Sequence, residues 1–216
     1  MIPAAMRIAM ALGMVAATLA AGCHRETARA KVGAFVDSQG ILSRVHSVAF
    51  MPLRNETNYL AVVDAATASV FQAVQARQLF HIEVVPAADP AAADPTPAGG
   101  RRVFTLKELA RLRQAFGCDA ILVGAVNQFH PYPQMRMGIY LRLIDLRDGS
   151  VLWAVDHIWD ATDQETQGRM ECYFSKERGE GYDPLQWRVT TVSPAAFRQF
   201  VAYEVADTLP KKPKTD

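Results

Sequence analysis

The sequence predicts an α/β (α+β) fold: a mixed β-sheet of about five strands with helices packed on it, ending in a long β-hairpin and a C-terminal helix. Three observations predict it. The run "CDAILVGAV" is apolar throughout, as in a strand buried on both faces, and it directly follows the amphipathic helical stretch "TLKELARLRQAFG". "MRMGIYLRLIDLRDGSVLWAVDHIWDA" alternates over two arms around an Asp-Gly turn. Ser193 and Pro194 then open a last helical pattern, with Phe197, Phe200, Val201, Val205 and Leu209 on one stripe and Pro210 as its stop.

The leader comes first along the chain. Arg7 is its only charge before residue 24, and "IAMALGMVAATL" follows, about twelve apolar residues. That length suits a signal-peptide core and falls short of the roughly 20 residues that span a bilayer. Ala20, Ala21 and Gly22 then precede Cys23, an order that resembles the lipobox at which signal peptidase II cuts before an acylated cysteine. Leu19 lies four residues before Cys23, and Ala20 takes the place that Leu usually holds. A conventional signal peptide cut after an A-x-A-like site is the competing reading, and it would leave Cys23 as a spare thiol. The acylated reading is preferred, because a lone exposed thiol is a liability in an oxidising envelope. Residues 1–22 are therefore expected to be the lipoprotein signal peptide, and Cys23 the membrane anchor through its acyl chains, palmitate among them. His24 after the Cys, in place of Asp, implies the outer membrane for lipoproteins of this kind.

Residues 23–44 are expected to be a lipidated tether with an opening helix in "VGAFVDSQGILSRV". One domain is expected over 45–209. "SVAFMPLRNET" reads as a strand from Val48 to Leu53 running into a turn, with Asn55 and Asn58 as candidate caps of the next helix. That helix carries Leu60, Val63, Val70, Phe71 and Val74 at helical spacing, and "FHIEVVP" is the strand after it. "PAADPAAADPTPAGGRR", residues 86–102, is a Pro/Ala-rich insertion with too many prolines for helix or sheet. Thr105 and Glu108 stand at capping-box spacing, and Gly117 stands at the helix end. For the hairpin, a two-residue turn would set Leu141 against Asp156. A three-residue turn with left-handed Gly149 sets Leu143 against Trp153 and Leu141 against Val155, which keeps the apolar faces together and is preferred. Residues 163–192 read as irregular, and 210–216 as a solvated basic tail.

The formal net charge of +1 excludes general nucleic-acid binding, which needs a concentrated basic field. Five histidines stand at no metal-ligand spacing, so no metal and no cofactor is expected; His81 and His157 read as structural residues of strands. Asp145, Asp148, Asp156, Asp160 and Asp163 are explained by turns and sheet solvation. No nucleophile motif occurs, and nothing orients a base toward Cys172, so no catalytic residue is expected. Once Cys23 is acylated, Cys118 and Cys172 remain, and both a disulfide between them and two separate thiols stay open. Trp159, Tyr173, Phe174, Tyr182 and Trp187 gather in or beside the irregular segment. They either pin it to the core or form a partner surface.

Taken together, "SVAFMPLRNET", "TLKELARLRQAFGCDAILVGAV" and "GIYLRLIDLRDGSVLW" resemble the core shared by curli-pore lipoproteins (CsgG-like), lipoprotein activators of penicillin-binding proteins, and the amino-terminal domain of TolB. The match runs over roughly residues 45–160 and includes Gly117, Cys118, Asp119 and Gly124, then Arg142, Leu143, Asp145, Gly149, Leu152 and Trp153. The resemblance implies a TolB-N-terminal-like sheet used for protein contacts in the cell envelope. Neither the insertion nor residues 163–192 has the sustained alternation of a membrane barrel. The expected protein is thus a non-catalytic lipoprotein facing the periplasm from the outer membrane, working with an envelope protein partner as an assembly or regulatory module. An oligomerising secretion subunit and an envelope-polymer hydrolase are the alternatives.

Overall fold

The computed structural model describes residues 32–37, 41–86, 103–178 and 193–210. The chain divides into the units Met1–Lys31 and Val32–Asp216, and all described residues belong to the second. Ala20, Ala21, Gly22, Cys23, Tyr182, Trp187, the insertion after Pro86 and the tail after Pro210 lie outside them.

Seven strands make one mixed sheet. They are β1 (Ala34–Val36), β2 (Ser47–Phe50), β3 (Arg54–Asn55), β4 (His81–Val84), β5 (Ala120–His130), β6 (Arg136–Asp145) and β7 (Val151–Asp160). The order is β1-β7-β6-β5-β2-β4, with β3 also pairing β5. Strands β2, β3, β4 and β5 are parallel where they pair, and β5, β6, β7 and β1 are antiparallel. Among the described residues four α-helices accompany them: α1 (Val62–Gln75), α2 (Leu106–Phe116), α3 (Gln164–Arg178) and α4 (Pro194–Asp207).

The hairpin forms as its side-chain pattern requires. Leu143 faces Trp153, Leu141 faces Val155, and Gly149 takes φ 79° in the turn. That register puts Met137, Leu141, Leu143, Trp153, Val155 and Trp159 into the core. Indole N–H groups of Trp153 and Trp159 donate to Thr208 and Glu204, so α4 covers this face. The five residues of its stripe, Phe197, Phe200, Val201, Val205 and Leu209, are all buried. The opposite face carries α2, whose Leu109 packs with Ala49, Ile121, Ile144 and Leu146. Thr105 and Glu108 close the capping box, and Gly117 ends the helix at φ 61°.

Two strands exceed the expected five, and both replace something else. Ala34–Val36, expected in a helix, is instead an exposed edge strand held on β7; its pairing is tertiary and leaves no periodicity in three residues. The strand expected to reach Leu53 stops at Phe50. Pro52 has no N–H to give the ladder, and the chain rejoins β5 as β3. Neither asparagine caps α1, whose N-cap is Ala61 without a side-chain bond. Asn55 organises the preceding loop instead, accepting from Thr57 N and Oγ1 (2.9 and 2.8 Å) and donating to the carbonyl of Tyr59. As a result Leu60 lies outside the buried stripe, which runs Val62, Ala66, Thr67, Val70, Val74.

The segment expected to be irregular begins with α3. Asp163 caps it by accepting from Thr166 N and Oγ1 (2.8 and 2.9 Å). Thr166, Met170 and Phe174 form a narrow buried stripe at four-residue spacing, obscured in the sequence by polar residues on every other face. Gly168 interrupts this helix where a Cβ would meet nothing within 4 Å. Gly168→Ala is therefore expected to stabilise the domain by about 0.5–1 kcal/mol through the unfolded chain's lost freedom, read as a higher urea midpoint at unchanged slope.

Candidate interaction surface

The aromatic residues singled out from the sequence separate into two kinds. Trp159 is fully buried and Phe174 nearly so; both pin the segment to the core, and neither presents a surface. Trp159 sits opposite Met137 and holds His157 edge-on, with ring centroids 4.7 Å apart. Burial, and then the nearby Arg169 cation, lower the His157 pKa. Tyr173 is half-buried and lies between α3 and α4, with its ring 4.9 Å from Phe174, 5.9 Å from Phe200 and 4.7 Å from Tyr203. Tyr203 is 39% exposed. Tyr173 and Tyr203 thus form an aromatic ridge along the seam of α3 and α4.

Beneath the ridge lies a polar cluster that sequence reasoning missed. Glu204 is 4% exposed, and its carboxylate accepts from Trp159 Nε1 (2.8 Å) and Arg169 Nε (2.8 Å to the nearer oxygen). Burial raises its pKa, and the two donors offset only part of that. This cluster fixes α3 onto α4 and β7 at one point. Its signal was available: Glu204 falls four residues after Phe200, on the buried stripe of α4, where an unpaired carboxylate could not stay.

Asp145, Asp119, Asp148 and Asp160 are likewise committed to structural bonds. Asp145, 2% exposed, is forked to Arg147 at 2.7–3.1 Å. Asp119 accepts from the N–H groups of His46 and Ser47, and these bonds are the main reason its pKa is lowered. Asp148 accepts from Ser150 N in the β6–β7 turn, and Asp160 bonds Arg136 and Thr162 at the end of β7. Among the described residues no three His, Cys, Asp or Glu side chains converge as metal ligands.

Cys118 and Cys172 are both free. Cys118 is buried in the cluster under α2, where desolvation raises its pKa. Cys172 rides on α3, which joins α4 on the other face, so the sheet stands between the two sulfurs and no bridge forms.

A second exposed apolar group sits at one end of the sheet. Tyr59 and Leu60, in the β3–α1 loop, are 45% and 87% exposed, and Tyr132, in the β5–β6 turn, is 68% exposed. Tyr59 packs edge-on against Phe129, with centroids 5.4 Å apart. Both loops leave the same end, because β3 and β5 run parallel and β5 turns there into β6.

No family model matches the chain, and no curated protein matches its sequence significantly. Solved structures are similar to it. PelC from Paraburkholderia phytofirmans, described as a dodecamer, is 15% identical over 78% of this chain and 91% of its own, at a TM-score of 0.48. Lipoprotein GNA1162 from Neisseria meningitidis is 18% identical over 63% and 99%, at 0.41. The C-terminal domain of LpoB from Salmonella enterica is 14% identical over 52% and 81%, at 0.38. The likeness to curli-pore lipoproteins, penicillin-binding-protein activators and TolB remains an expectation of the sequence.

Proposed function

We propose that this chain is a non-catalytic, lipid-anchored interaction module of the bacterial envelope, held by acylated Cys23 at the periplasmic face of the outer membrane. The observation that carries the reading is the order of apolar core, small residues and Cys23 in the leader. The commitment of Glu204, Asp145, Asp119 and Asp160 to structural bonds supports a role other than acid–base chemistry. The α3–α4 ridge of Tyr173 and Tyr203, together with Tyr182 and Trp187 in the adjoining segment, is the surface for an envelope protein partner. Amphipathic aromatic side chains there offer large contact area with a polar tip.

Metabolic labelling with palmitate tests the anchor. The wild-type chain should take up label and Cys23→Ser should not; label retained by the variant sinks the reading. For the ridge, a membrane pull-down with Tyr182→Ala/Trp187→Ala should lose one envelope protein that wild type retains, at an unchanged urea midpoint. Global unfolding with no specific loss of that protein counts against the surface.

A further inference from the structure

We infer that the exposed loop end of the sheet carrying Tyr59, Leu60 and Tyr132 lies against the bilayer in which Cys23 is anchored, as a second, non-covalent membrane contact. This rests on the acylation of Cys23 proposed above, and goes beyond it by assigning a face of the folded domain.

The argument begins where the chain enters the fold. Strand β1 is antiparallel to β7, with Ala34 opposite Val155 and Val36 opposite Trp153. The carbonyl of Gly33 accepts from the N–H of Asp156. The chain before Gly33 therefore points toward the Asp160 end of β7. Arg136, the first residue of β6, pairs with Asp160 at that end and with His130 on its other side. That is the end from which the Tyr132 turn and the Tyr59–Leu60 loop project. The tether joins the domain midway along β7, on the side of Ala34 that faces its aromatic end.

Its length limits the alternatives. Nine residues, 24–32, separate Cys23 from Gly33, a reach of about 30 Å at full extension. To lay the Asp148 turn on the membrane instead, the tether would have to reverse and spend about 17 Å of that reach running back beside β7. The side chains suit an interface as well. Tyrosine places an apolar ring and a polar hydroxyl across the headgroup boundary, and Leu60, 87% exposed, has no core to enter. Two of the cations near this end are paired, Arg54 with Glu56 and Arg136 with Asp160, so neither pair presents a net charge to the leaflet.

The test uses the full lipidated chain reconstituted into vesicles of phosphatidylethanolamine and phosphatidylglycerol with brominated acyl chains, which quench nearby indoles. A tryptophan is added at the tip (Leu60→Trp) or at the opposite end (Asp148→Trp), over the constant emission of the native tryptophans. Leu60→Trp should lose most of its added emission on going from plain to brominated lipid, and Asp148→Trp should lose none. Flotation of the same vesicles reports anchoring independently. Protein that floats without quenching at position 60, or with equal quenching at both positions, overturns the tip contact while leaving the anchor intact. Protein that fails to float overturns both.

Discussion

Replacing Arg169 with Ala should cost the domain about 3 kcal/mol, because it leaves the Glu204 carboxylate buried without its cation. The loss should depend on pH in a definite direction. Burial raises the Glu204 pKa, so folding favours its neutral form more than the unfolded chain does. Below the ordinary carboxyl range the group is protonated in folded and unfolded chains alike, and its penalty is absent. The penalty appears as pH rises and the unfolded carboxyl ionises before the folded one. Removing Arg169 also relieves His157, whose pKa its charge helps to lower. Both effects make the variant's deficit smaller at acidic pH than at neutral pH. Urea denaturation of wild type and variant at the two conditions checks this. The double variant Arg169→Ala/Glu204→Gln should recover about 1–2 kcal/mol, since a neutral amide still accepts from Trp159 without the desolvated charge. A deficit that grows toward acid would show that the ion pair is not what the fold depends on.

Trp153→Ala should be costlier still, at about 3–5 kcal/mol. This indole is 1% exposed, faces Leu143 across the hairpin and bonds Thr208 beyond the end of α4. Its loss opens a cavity between sheet and helix that neither rigid element can close. Trp153→Phe separates packing from bonding. It keeps an aromatic ring in the space, and Thr208 Oγ1 retains its own bond to the carbonyl of Val205. The Phe variant should therefore lose only about 1–2 kcal/mol. Equal losses for Phe and Ala would place the energy in the hydrogen bond, against this account.

What could be read from the sequence was local. The β6–β7 register followed from the alternation of Leu141, Leu143, Trp153 and Val155 with a glycine at the one turn position needing positive φ. The caps of α2 and the stripe of α4 followed from spacing within one helix. The missing parts depend on partners far along the chain. Strand β1 exists because β7, more than a hundred residues later, offers it an edge. Helix α3 is held by Arg169 on Glu204 and by the burial of Met170 and Phe174, and its own composition hides that stripe. In the candidate surface, the three described members of the five aromatic residues read as one group are divided by packing. Trp159 and Phe174 turned inward, while Tyr173 stayed at the seam. Glu204 and Arg169 are 35 residues apart, and their pairing has no signature except the oddity of a carboxylate on a buried stripe.

The attachment of β1 also has a mechanical meaning. Hydrogen bonds of an antiparallel pair lie perpendicular to the strands, and the chain enters β1 through Gly33, whose carbonyl already accepts from Asp156. A pull on Gly33 along the strand axis loads the bonds between Gly33–Asp37 and β7 together, in shear, instead of opening them one after another. If Cys23 is acylated as proposed, a strand of three residues thereby serves as the grip between anchor and domain.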